Sequence, residues 1–195
     1  MSETITVLGL GNILCADDGF GVRAAERFYA AYATPEHVQV IDGGTQGPTL
    51  YQFVEEARRL LVFDAVDFDL APGTLTVKEQ AEIPVWLGAR KMSAHQNSFS
   101  EVLALAALKK TLPESIVLIG VQPADMTYGA GLSDCVRERV PEAVELGRRT
   151  LEKWGARVTP AQGAERYLNA RPVSMRAYEE TIGATRRARP GVFRG

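Results

Sequence analysis

The sequence predicts an α/β fold, a three-layer α/β/α sandwich around a mostly parallel five-stranded sheet. Three observations predict it. Apolar runs of strand length alternate with segments whose apolar residues recur at three and four. Two runs, Leu60 to Phe63 and Ser115 to Val121, are almost wholly apolar, as in strands covered on both faces. The elements read β-α-β-α-β-β-α-β-α, the order of a wound sheet with helices on both sides.

The first strand lies within Thr6–Val22, TVLGLGNILCADDGFGV. Val7 and Leu8 supply apolar character, and Gly9 and Gly11 let the backbone turn tightly. Asn12 can tie that turn through its side chain. Asp17 and Asp18 follow. In such folds ligands bind just beyond the carboxyl ends of the strands, so this loop is a candidate site. It is not a dinucleotide fingerprint: Leu14 stands where the third glycine belongs, and the acids would repel a pyrophosphate.

A helix is expected from about Gly21 to Tyr32, with Val22, Ala25, Phe28, Tyr29 and Tyr32 on one stripe. Pro35 ends it, and His37 reads as a solvated loop residue. Val38 to Ile41 forms the next strand. It runs into Asp42-Gly43-Gly44-Thr45, where paired glycines mark a sharp turn or a close backbone approach. A helix from about Thr49 to Arg58 follows. The strand Leu60 to Phe63 ends at Asp64, and a carboxylate at the lip of a buried strand is costly unless paired, hydrogen-bonded or metal-bound. Thr74 to Val77 alternates as an edge or hairpin strand would. The polar stretch Lys91–Asn97 precedes a helix from about Phe99 to Lys110. Ser98 is its expected N-cap and Glu101 the capping-box partner, which leaves His95 in a loop. The last helix spans about Ser133 to Trp154, with Ser133 capping it and Cys135 as packing.

The chain divides into a domain over residues 1–159 and a basic extension, irregular or partly disordered, over 160–195. The 195 residues carry a net charge of −2, so no basic field points to nucleic acid. Charge is uneven. From Ala161 onward there are seven Arg and three Glu, a net of +4, which leaves −6 for the rest. Two cysteines, Cys15 and Cys135, suit a reducing compartment better than a disulfide framework. No signal-peptide pattern opens the chain and no apolar run is long enough to span a bilayer, so a cytoplasmic protein without membrane insertion is expected.

Asp18, Asp64 and His95 fall near one edge of this topology. Two carboxylates and an imidazole suit a divalent cation such as zinc, nickel, manganese or iron, with positions left open for water or substrate. No H-E-x-x-H or G-x-S-x-G motif is present. A Cys15–His95 thiol pair is disfavoured, because neighbouring acids raise a thiol pKa.

Five segments in order, GLGNILCADDGFGV, DGGTQG, LLVFDAVD, KMSAHQNSFSEVL and IGVQP, resemble the hydrogenase maturation endopeptidases, most closely the branch serving membrane-bound uptake [NiFe]-hydrogenases. The resemblance covers about residues 4 to 156, and the extension more loosely. It implies a phosphorylase/hydrolase-like fold and a metal-dependent endopeptidase, aspartic-type by class. The implied substrate is the nickel-loaded large-subunit precursor, from which a short C-terminal extension is removed. It further implies metal contacts at Asp18, Asp64 and His95, with Asp42 of the DGGT turn at the same cleft. The family's first-loop acid is typically glutamate. Here it is Asp18, shorter by one methylene, with Asp17 as a second candidate. Nickel is then presented by the substrate and is not a resident cofactor. The alternatives are a non-catalytic metal-sensing chaperone of the precursor and a small nucleotide-binding module.

Overall fold

The computed structural model describes residues 3–82, 94–129, 131–163 and 166–169. Five strands form the central sheet: β1 (Ile5–Leu10), β3 (Val38–Gly44), β4 (Arg59–Ala65), β5 (Leu75–Glu79) and β6 (Ser115–Val121). Their spatial order is β3-β1-β4-β6-β5. The first four are parallel, and β5 runs antiparallel to β6 at the edge. The helices are α1 (Phe20–Ala31), α2 (Tyr51–Glu56), α3 (Ala94–Lys109), α4 (Asp134–Arg137) and α5 (Val140–Lys153). A two-residue pair, β2 (Tyr32–Ala33) with β7 (Thr159–Pro160), lies outside the sheet.

Strand alternation sorts the core into two layers. Ile5 and Val7 of β1, Leu61 and Phe63 of β4, and Val117 and Ile119 of β6 face α1, α4 and α5, where they meet Phe20, Phe28, Val136, Val144 and Leu151. Leu8, Leu60, Val62, Ile116 and Leu118 face the other way, against Leu50, Val54, Phe99, Val102 and Leu103 of the α2–α3 layer. The expected three-layer architecture is therefore present. Helix α1 lies hard against the sheet because residue 21 is glycine: a Cβ there would overlap the carbonyl oxygens of Phe63 and Leu10.

Several boundaries differ from the sequence expectation. Gly47 and Pro48 open a single 3-10 turn (Gly47–Leu50), so α2 is shorter than the apolar stripe suggests. Pro141 sits in the first turn of α5 and breaks the long final helix in two, since proline is tolerated at a helix start and not inside. Helix α3 begins at Ala94, before the expected Ser98 cap, so His95 lies in its first turn and not in a loop. Ala94 and Gln96 are good helix formers, and local propensity extends the helix past the capping signal. Cys135, expected as packing, is exposed.

Candidate active site

The loop after β1 sets the geometry. Gly11 has φ +127, and a Cβ there would collide with the backbone carbonyl of Asp18, so only glycine lets the loop fold back on itself. The Leu14 N–H donates to Asn12 Oδ1 at 3.0 Å, the side-chain turn expected of Asn12. A 3-10 turn, Ala16–Gly19, then leads into α1. It packs against β4, the strand that carries Asp64 at its carboxyl end.

Asp17 and Asp18 are both buried, with 0% and 1% of their surface exposed, yet they point to different partners. Asp17 accepts from the backbone N–H groups of Ala124, Asp125 and Ser133 at 2.8, 2.9 and 2.7 Å, and from the Ser133 hydroxyl at 2.9 Å. Four donors saturate a carboxylate. Asp17 is thus a tie between the first loop and the loop after β6, and Ser133 serves Asp17 in place of capping a helix. Asp18 Oδ2 accepts from the Asn12 N–H at 3.1 Å and stays at the mouth of the β1 turn. Asp17 is thus committed to the fold, while Asp18 lies on the same 3-10 turn, which packs against β4.

Asp64 is 1% exposed. By alternation it shares the face of Leu60 and Val62, the α2–α3 side, where α3 begins with His95 in its first turn. Its neighbour on β6 is Gly120, which places no side chain beside it. The His95 side chain lies outside the described residues. Among the described residues no three His, Cys, Asp or Glu groups gather as a metal site, and of the expected trio only the side chains of Asp18 and Asp64 are described.

Asp42 ends up elsewhere. It shares parity with Val38 and Val40 and so faces the α1 side of the sheet, opposite Asp64. There Asn169 Nδ2 donates to Asp42 Oδ2 at 2.6 Å and to Glu26 Oε1 at 3.1 Å. The turn it heads still reaches the cleft, because the Gly11 N–H donates to the Gly44 carbonyl at 3.0 Å. Cys15 lies beside Asp18. Burial first, and then the Asp18 charge, push its thiol above the usual range, which opposes a nucleophilic role.

Three supporting residues escape a reading of motifs. Gln122 accepts the N–H groups of Phe68 and Leu70 on Oε1 and donates to Asp67, fixing the loop that leaves β4. Ser133 and Asn169 are the others. All three act on residues far away in the chain: the IGVQP segment marks Gln122, Ser133 reads in sequence only as a helix cap, and Asn169 carries no signal.

Comparison with known proteins identifies the family. A family model described as hydrogenase maturation protease matches residues 22–149. The chain is 47% identical over 192 residues to the hydrogenase expression/formation protein HupD of Rhizobium leguminosarum bv. viciae, covering 97% of this chain and 92% of that one. It is 33% identical to the hydrogenase 2 maturation protease of Escherichia coli, over 81% of this chain and 96% of that one. The structure of the hydrogenase maturating endopeptidase HybD from E. coli superposes with a TM-score of 0.77 at 32% identity, over 80% of this chain and 97% of that one. Fold and sequence agree, and the chain belongs to the hydrogenase maturation protease family.

Proposed function

We propose that this protein is an endopeptidase that removes a short C-terminal extension from the nickel-loaded large-subunit precursor of an uptake [NiFe]-hydrogenase, in the cytoplasm. The observation that carries the reading is the pair of buried carboxylates, Asp18 and Asp64, held on abutting elements at one sheet edge, with helix α3 and His95 beginning on the Asp64 face. A buried carboxylate is poised to meet a cation. Two carboxylate oxygens and one imidazole form a donor set that nickel accepts. The nickel belongs to the substrate. The trio reads its presence, and cleavage is permitted only on a loaded precursor.

Hydrolysis adds water to the scissile carbonyl carbon and breaks the C–N bond, with a proton passing to the leaving amine. The attacking water needs a base, and the carboxylates at this edge are groups able to take that proton. Asp42 acts from the far side of the turn, through the Gly44–Gly11 hydrogen bond.

The test is intact-mass spectrometry of nickel-loaded and nickel-free precursor after mixing with the protein. Loss of one short C-terminal peptide from the loaded form alone is expected, and His95→Ala is expected to abolish it. Binding without any mass change would move the assignment to a metal-sensing chaperone. Cleavage of both forms alike would remove the nickel check.

A further inference from the structure

Beyond β7 the chain turns back along α1. The Ala161 N–H donates to the Ala31 carbonyl at 2.8 Å. Arg166 then donates to the Tyr32 carbonyl at 2.7 Å and lies 4.2 Å over the Tyr29 ring. Leu168 packs onto the α1-side core. Asn169 follows, with its amide nitrogen between two carboxylates, 2.6 Å from Asp42 Oδ2 and 3.1 Å from Glu26 Oε1. Ionised carboxylates only accept, so the nitrogen and not the oxygen must face them. Glu26 is held on its other oxygen by Arg23, 2.8 Å away and almost wholly buried.

This places one neutral group with two donors between two acids that would otherwise repel. It also starts a continuous path to the cleft. Asp42 heads the Gly43–Gly44 turn, the Gly44 carbonyl accepts from Gly11, and the next N–H, of Asn12, donates to Asp18 Oδ2. Residues near the far end of the chain are thus linked, through one turn, to the acid at the site.

We propose that the arm 166–169 is a clip for the active site, in which Asn169 is a positioning residue that fixes Asp42 and, through its turn, the loop bearing Asp18. The clip holds the Asp42 carboxylate against Glu26 of α1, which keeps the Gly44 carbonyl aimed at Gly11. Without it, Asp42 and Glu26 separate and the turn shifts. The inference rests on the processing site lying at the Asp18 edge.

Two measurements on the full chain test it. The first is the amide spectrum of the substrate-free protein, read at Gly11, Asn12 and Gly44. The second is the rate of processing of nickel-loaded precursor. Asn169→Ala and Asn169→Asp are compared. If the donors matter, Asn169→Asp, which keeps the shape but sets three carboxylates together, is worse than Asn169→Ala. If only packing matters, the order reverses. The expected result is displaced Gly11, Asn12 and Gly44 resonances in both variants and kcat lowered by about tenfold to a hundredfold, as for a displaced reacting group, with KM nearly unchanged. Unmoved resonances, unchanged kcat, or the reversed order would each overturn the clip. A wild-type protein that fails to process the precursor would refute the function, while the resonances would still decide the clip.

Discussion

Replacing Asp17 by Asn keeps its shape but turns one of its acceptor oxygens into a donor facing other donors. Three backbone N–H groups and the Ser133 hydroxyl converge on that carboxylate in a buried position. Asp17→Asn is expected to lower unfolding free energy by about 2–4 kcal/mol in denaturant titrations. The same change at Asp18, whose Oδ2 accepts from the Asn12 N–H, is expected to abolish processing. Processing that survives Asp18→Asn, or an Asp17→Asn protein as stable as the wild type, would mean that the assignment of tie and site is wrong. Cys15 belongs to the same loop. Its thiol is pushed up by burial and by Asp18, so Cys15→Ala is expected to process precursor at the wild-type rate. A large loss there would restore the thiol nucleophile that the environment argues against.

At the scale of elements, α5 offers a pH test. Glu145 is gripped by Arg148 through two hydrogen bonds of 2.7 Å and by Arg149 at 2.9 Å, which hold its carboxyl down at about 2. The folded pKa is depressed below the ordinary 4.5. Its stabilising contribution is therefore complete above about pH 4.5 and is lost as pH falls toward about 2. The side chain is 36% exposed, and such helical pairs contribute on the order of 0.5 kcal/mol. Glu145→Gln is expected to flatten the acid limb of the stability curve by that amount and leave neutral stability slightly reduced. An identical acid limb would remove Glu145 from the account.

The elements also show what was legible in the sequence. The sheet and its two layers follow from apolar period and run length, which are local signals, and Gly9 to Gly21 announced the first loop. Pro141 was visible too, but its effect on the last helix was masked by an apolar stripe that continues across the break. The choice between Asp17 and Asp18 was not legible, because the donors that claim Asp17 lie 107 to 116 residues further along. The side of the sheet that Asp42 faces follows from its parity with Val38 and Val40, a local signal, but its partner Asn169 does not, since it lies 127 residues away in a segment without periodicity. The cap signal at Ser98 argues for a loop around His95, but the good helix formers Ala94 and Gln96 carry the helix one turn further back.

The whole molecule is electrically divided, with net +4 after Pro160 and −6 before it. Part of that extension has a use within the fold, since Arg166, Leu168 and Asn169 dock on α1 and Asp42. The six arginines and two glutamates beyond Asn169 are a separate matter. A cluster of like charge raises the encounter rate with an oppositely charged surface, and salt suppresses the effect within a Debye length of about 8–10 Å. A chain ending at Asn169 keeps the clip and loses the charge. If the arginines steer an acidic precursor, the full chain's KM is expected to rise with added salt, while the shortened chain shows a higher KM that salt scarcely changes, and kcat is the same for both. Equal KM and equal salt response would assign the extension past Asn169 no part in capture. A fall in kcat on shortening would mean instead that those residues reach the cleft, and the boundary of the site would have to move with them.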